Sequence, residues 1–313
     1  MAAMDVLSDA VAAMRLGRPH SALRDKFAPW GFRFDAHDGA GFHVVLRGSA
    51  WLLPEGDEAR SFALGPGDVV FLAHGRGHTL VSELGVPVEE FRIRPDGTWP
   101  APPPRPAVGP APDTVMLCGA YLLDRARAHP LLGELPDVVH LPARVGAHRS
   151  LRTAVELLGA ELDAPRPGSD TIVSALLDTL LLYILRAWWL ERGEGWDGSH
   201  PSGWSAALTE PPLAAALTAM HADPAHPWTV AELAGLGGLS RAAFARRFAA
   251  AVGMPPLAYL TWWRMTTAGR LLRKENAPLR VVAGRTGYTS EFAFAKAFKR
   301  EFGVAPGQYR RTA

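Results

Sequence analysis

SRAAFARRFAAAVGMPPLAY, Ser240 to Tyr259, returns fifty residues later as SEFAFAKAFKREFGVAPGQY, Ser290 to Tyr309. The shift overlays Ser240 on Ser290, Phe244 on Phe294, Phe248 on Phe298, Gly253 on Gly303 and Tyr259 on Tyr309. Upstream, Ala234 faces Gly284 and Gly237 faces Gly287. Self-similarity at a fixed period marks one supersecondary unit used twice.

The punctuation of each copy says what the unit is. Thr229-Val-Ala-Glu232 reads as a capping box that opens a short helix, and Gly237-Gly238 stops it. Ser240 caps a second helix in which Phe244, Phe248 and Val252 share one face at i, i+4 and i+8. Two helices joined by a short Gly-containing turn form a helix-turn-helix. The second copy opens after Pro278, turns at Gly287-Tyr288-Thr289 and restarts at Ser290. The two units are placed at about 229–252 and 279–302. Between them, PLAYLTWWRMTTAGRLLRK, Pro256 to Lys274, has helical periodicity and room for about five turns. Such a rod would hold two recognition helices apart, and successive major grooves lie roughly 34 Å apart on one face of DNA.

With its doubled spacing, linker helix and closing Pro306-x-x-Tyr309-Arg310, the stretch from about Leu213 to Arg310 resembles the DNA-binding domain of the AraC/XylS family of bacterial transcription regulators. The resemblance implies promoter DNA as a partner, and RNA polymerase if the protein is an activator. Laid on this sequence, the family pattern puts Ala242, Ala245 and Arg246 of the first recognition helix against base edges, beside Arg241. In the second helix it puts Phe292, Ala295 and Lys296 there, with Glu291 at the helix start. Arg246 suits guanine, and an alanine methyl suits thymine. Arg247, Lys299 and Arg300 are read as phosphate contacts, which position without specifying.

Charge supports this reading. From Ser205 onward there are 14 Lys and Arg against 6 Asp and Glu, whereas the rest of the chain has 19 against 25. A near-neutral whole thus hides a basic C-terminal part, which supplies salt-sensitive attraction to phosphates.

The 313 residues, 48% hydrophobic, suffice for two or three domains. The start, MAAMDVLSDAVAAM, has no charged n-region ahead of a long apolar run, so no signal peptide is indicated. Thr171–Leu190 is the one candidate membrane span, but it carries Asp178 and Arg186 and reads better as a buried helix. A single cysteine excludes an internal disulfide. The expectation is a cytoplasmic, nucleoid-associated protein with no membrane partner.

Residues 1–146 show short apolar runs between Gly and Pro turns, as expected of a sandwich or small barrel. GDVVFLAHGRGH, Gly67 to His78, resembles the second cupin motif, with Ala73 in place of its Pro. GFHVVLRGSAWL, Gly41 to Leu52, resembles the first, but Val45 stands where the second His of a catalytic cupin would be. The resemblance implies a cupin-like β-barrel that senses a small molecule, a metal or a redox signal. His43 and His78, with Cys118, are the candidate ligands for zinc or another divalent transition metal. Alternatively His43, His74 and His78 line a metal-free pocket, or the histidines are structural. Cys118 is read as a ligand, a redox-sensitive thiol or an inert core residue. Pro-rich residues 96–112 read as a loop.

Residues 147–204 hold two helical stretches split by Ala164-Pro-Arg-Pro-Gly168, then a Gly- and Ser-rich linker. Their broad apolar stripe, Ile172, Leu176, Leu180 and Ile184 with Val173, Leu177 and Leu181, is either an internal packing face or, as the resemblance implies, part of a homodimer interface. Residues 205–313 complete an α+β chain of two folded domains. The leading reading is a regulator without enzymatic activity. The alternative is a cupin-type metalloenzyme fused to a DNA-binding module, against which the missing second His argues.

Overall fold

The computed structural model describes the chain apart from residues 1–4, 58–59, 93–99, 101–109, 124–128, 145, 196–202, 276 and 313. Most of the Pro-rich loop expected at 96–112 lies outside the described residues. Two compact units result. One carries the β-strands with helices α2 (Arg149–Asp163) and α3 (Ser169–Gly195). The other joins α1 (Val6–Met14) and a 3-10 turn at Pro130–Glu134 to all the helices from α4 (Gly203–Thr209) onward.

The strand unit is two five-stranded sheets. The first runs β1 (Arg15–Lys26), β9 (Thr114–Leu123), β3 (Ala40–Arg47), β6 (Val69–Leu72), β10 (Val139–Leu141). The second runs β5 (Phe62–Leu64), β4 (Ala50–Pro54), β7 (His78–Val81), β2 (Gly31–Phe34), β8 (Glu89–Phe91). Every pairing is antiparallel except β2 with β8. The expected cupin-like fold is present, but among the described residues no ladder closes it into a barrel. Edge strands β5, β8 and β10 are three residues each, whereas edge strand β1 has 12.

Residue alternation decides what each face buries. Inward, Val45, Val70, Leu72, Met116 and Cys118 of the first sheet pack with Trp30, Leu52, Leu64 and Leu80. Outward, Phe42, Phe71 and Tyr121 are fully buried, and the Tyr121 hydroxyl donates to the Leu177 carbonyl of α3 at 2.8 Å. Hence β3 is buried on both faces. Leu177, Leu180, Leu181 and Ile184 are buried within the unit, while Ile172 remains exposed. Ser169–Arg192 has the length and hydropathy of a membrane span, yet these side chains are covered by protein.

In the helical unit, α5 (Pro211–Ala222) precedes α6 (Val230–Leu236) and α7 (Arg241–Val252). The linker helix α8 (Pro256–Lys274) leads to α9 (Leu279–Arg285), α10 (Glu291–Phe302) and α11 (Pro306–Thr312). The Thr229–Glu232 capping box is formed in both directions. Ser240 and Ser290 accept from the amides of Ala243 and Ala293 at 3.3 and 3.4 Å. Helices α7 and α10 end on Gly253 and Gly303 at φ 81° and 75°, left-handed conformations that glycine adopts without a Cβ clash. Phe244, Phe248, Phe294 and Phe298 are fully buried. Capping, burial and termination therefore recur at a spacing of fifty.

Candidate functional site

The repeat leaves the same outer face on both recognition helices. On α7, Arg241, Ala242, Arg246 and Arg247 are exposed, with Ala245 intermediate. On α10, Glu291, Phe292, Lys296, Lys299 and Arg300 are exposed, with Ala295 intermediate. Phe292 is 80% exposed, whereas Phe294, two residues on, is fully buried. The burial of Phe244, Phe248 and their repeats fixes this outcome, since residues one and two positions away point elsewhere on a helix. Arg300 pairs with Glu301 at 3.4 Å. Every sequence-predicted contact on both helices lies on or beside the solvent face. The α8 rod between the two units has 19 residues, or about 28 Å at 1.5 Å per residue.

The second candidate lies in the strand unit. His43 on β3 and His78 on β7 come from opposite sheets and meet inside, their Nε2 atoms 2.8 Å apart. Both are buried. Gly75 holds the turn that delivers β7. Its φ is 52°, and a Cβ there would lie 2.3 Å from the His37 carbonyl. Phe34 stacks on His78 with ring centroids 4.8 Å apart, and Phe91 sits 4.7 Å from Phe34. Together with Asp35, His37, Glu90 and Arg92, these groups line a cavity of about 550 Å³.

Burial holds both imidazoles below their ordinary pKa, His78 at about 4 and His43 well below the usual value. The hydrogen bonds then assign neutral tautomers. His78 Nδ1 donates to the Arg76 carbonyl at 3.2 Å, so its Nε2 accepts from the Nε2–H of His43. His43 Nδ1 is left as a buried acceptor without a protein partner among the described residues.

Cys118 lies opposite His43 in the β3–β9 register. Burial pushes its thiol up to about 12, and its neighbours Trp30, Leu52 and Met116 are apolar. His74 bonds the Leu135 carbonyl at 2.9 Å and does not line the cavity. Among the described residues no group of three or more His, Cys, Asp or Glu is arranged for a metal. Two imidazoles bonded to each other fall short of the three or four donors that a zinc site takes. Among the described residues, His43, His78 and Cys118 do not form a group that fits a resident metal. Phe34, Phe91, Asp35 and Arg92 belong to the cavity but carried no sequence signal, since a wall built from separate strands has no local spacing.

A cupin family profile matches residues 5–189, and a helix-turn-helix domain profile matches residues 233–312. The chain is 36% identical over 312 residues to a protein described as an AraC-like transcription regulator from Streptomyces antibioticus, covering 98% of this chain and 99% of that one. It is 35% identical over 312 residues to another so described from Streptomyces lividans, covering 98% of each. Among solved structures, the DNA-binding domain of AdpA in complex with a target DNA is 32% identical, with 33% of this chain and 91% of that chain covered and a TM-score of 0.31.

Proposed function

The chain belongs to the AraC-like transcription regulators, and we propose that it reads promoter DNA with α7 and α10 under control of an organic effector held in the His43–His78 cavity. The observation that carries the DNA assignment is the matched pair of recognition helices, each cationic and exposed on one face and locked by two buried phenylalanines on the other. Arg246 is the base reader of α7, because Ala242 and Ala245 offer only methyl groups. On α10 the readers are Phe292, Ala295 and Lys296, with Glu291 at the helix start. Arg241, Arg247, Lys299 and Arg300 hold phosphates. The polar groups of Asp35, Glu90 and Arg92 line the cavity together with the aromatic rings of Phe34 and Phe91. That mixture suits a small molecule with an apolar body. Effector occupancy shifts the population of DNA-binding arrangements. The exposed Leu157, Ile172 and Leu190 of α2 and α3 support a homodimer built on those helices.

The test is binding of the full-length protein to a duplex selected from a random library, compared with an unselected duplex. Arg246→Ala should weaken specific binding by about 1–3 kcal/mol and relax preference at one base pair. Lys299→Ala should weaken both duplexes alike and flatten the salt dependence. Equal loss on both duplexes for Arg246→Ala would remove it from the base-reading set.

A further inference from the structure

The first helix-turn-helix contains a hydrogen-bond chain through its closing tyrosine. Tyr259 closes the first copy and is fully buried on the linker helix α8. Two histidines flank its hydroxyl. His221 Nε2, from α5, lies 2.7 Å away, and His129 Nε2, just ahead of the Pro130–Glu134 turn, lies 3.4 Å away.

The remaining ring nitrogens fix the direction of every bond. The Leu131 amide donates to His129 Nδ1 at 3.2 Å, so neutral His129 donates from Nε2 to Tyr259 Oη. His221 Nδ1 donates to the Asp9 carboxylate of α1 at 3.4 Å, so its Nε2 accepts the Tyr259 proton. The chain therefore runs from Leu131 through His129, Tyr259 and His221 to Asp9 in a consistent sense. Burial keeps both histidines below their ordinary pKa, as neutral rings require. His129 is enclosed by Trp204 at 4.5 Å and Trp262 at 5.0 Å, and His221 stacks on Trp263 at 3.8 Å.

The repeat supplies an internal comparison. Tyr309 occupies the equivalent position in the second copy, and there the hydroxyl receives Arg273 of the same linker helix, beside Phe298 and Phe302. The packing of the two copies is shared, but the partners of the closing tyrosine are not. In the first copy one partner, His129, belongs to a chain segment between sensor strands, and the other, His221 of α5, bonds Asp9 of α1, which precedes a sensor strand. Residues 129–134 stand between β9 and β10, and α1 runs directly into β1. β9 also contributes Gly119 to the cavity wall.

We propose that Tyr259 is the positioning residue through which the sensor's chain acts on DNA binding, with its hydroxyl tying α8 to the His129 segment on one side and, through His221, to α1 on the other. A displacement of the 129–134 segment or of α1 would alter the Tyr259 contacts and with them the packing of the first helix-turn-helix. This deepens the proposed regulation and rests on the DNA-binding reading.

Hydrogen exchange of the full-length protein, with and without the duplex it selects from a random library, tests it. Coupling between sites is reciprocal, so the duplex should change exchange in peptides spanning α1 and 130–134, although neither carries a proposed DNA contact. Tyr259→Phe keeps the ring and removes the hydroxyl. It should speed exchange in those peptides roughly tenfold and abolish their response to DNA. Exchange in α10 should not change, which reports that the variant is folded. His129→Leu should reproduce the pattern from the other side, and Tyr309→Phe should leave α1 and 130–134 untouched. A wild-type protein that binds duplex with no response in α1 or 130–134 overturns the proposal, as does a Tyr309→Phe effect equal to that of Tyr259→Phe. Failure to select any duplex would instead sink the DNA-binding reading, and this inference with it.

Discussion

Acid should loosen the strand unit through His43 and His78, and the size of the effect follows from their burial. Both rings are neutral in the folded state because the charged form is desolvated there. The folded pKa of His78 is about 4, against about 6.5 for an unfolded histidine. Between those values the unfolded chain binds more protons than the folded one. The stability is therefore fully present above pH 6.5 and is lost as pH falls toward 4. For His78 alone the loss between pH 7.5 and pH 5 is about 2 kcal/mol. His43 is also depressed and adds to it with the same sign. The check is hydrogen exchange of β3 and β7 amides at several pH values, corrected for intrinsic exchange rates. A double variant, His43→Leu with His78→Phe, removes both titrations and both halves of the hydrogen bond between the two rings, so neither imidazole is left without the other. Its strand unit should lose the acid sensitivity. Wild-type stability that stays within about 0.5 kcal/mol from pH 7.5 to pH 5, or an equal acid loss in the double variant, would refute the reasoning.

Phe294→Ala, at a site of no exposure against Tyr288 and Phe298, should cost about 3–5 kcal/mol, read by chemical denaturation. Thr229→Ala removes the capping-box hydroxyl that serves Glu232. It should cost about 1 kcal/mol, visible as faster exchange in α6. Cys118, with its thiol pushed up to about 12 and buried, should resist iodoacetamide at pH 8 in the folded protein and react fully in urea. Prompt native alkylation would reopen its reading as a reactive thiol.

What the sequence made legible was local. The double helix-turn-helix rests on serine and threonine caps, glycine stops and phenylalanines four residues apart, and each is a short-range signal that the structure realises at the expected residue. His43 and His78 were also singled out, one from each cupin-like motif, and the fold brings them within hydrogen-bonding distance. What the sequence hid was long-range. β1, RLGRPHSALRDK, is too charged to show clean alternation, yet it forms an edge of the first sheet along most of β9. Nothing around Val6–Met14 or Pro130–Glu134 marks these segments as part of the helical unit. Their membership depends on long-range packing and on contacts such as Asp9 to His221 and His129 to Tyr259, between residues more than a hundred positions apart.

Duplication explains why the second class of information was invisible. A repeat constrains what both copies share, and the shared part is the packing of one helix pair: the caps, the paired phenylalanines and the left-handed glycine. Tyrosine at 259 and 309 belongs to that common pattern, so the sequence assigns both the same closing role. The hydroxyl is the part of the tyrosine that the common core does not use, and its surroundings have diverged. An arginine on α8 satisfies it in one copy, while two histidines do so in the other. Burying an unpaired hydroxyl costs about 1–3 kcal/mol, so each copy needs a partner, but nothing in the shared core dictates which. That freedom lets the two closing tyrosines take different partners. Two helix-turn-helix units of one design can then respond differently to the same signal.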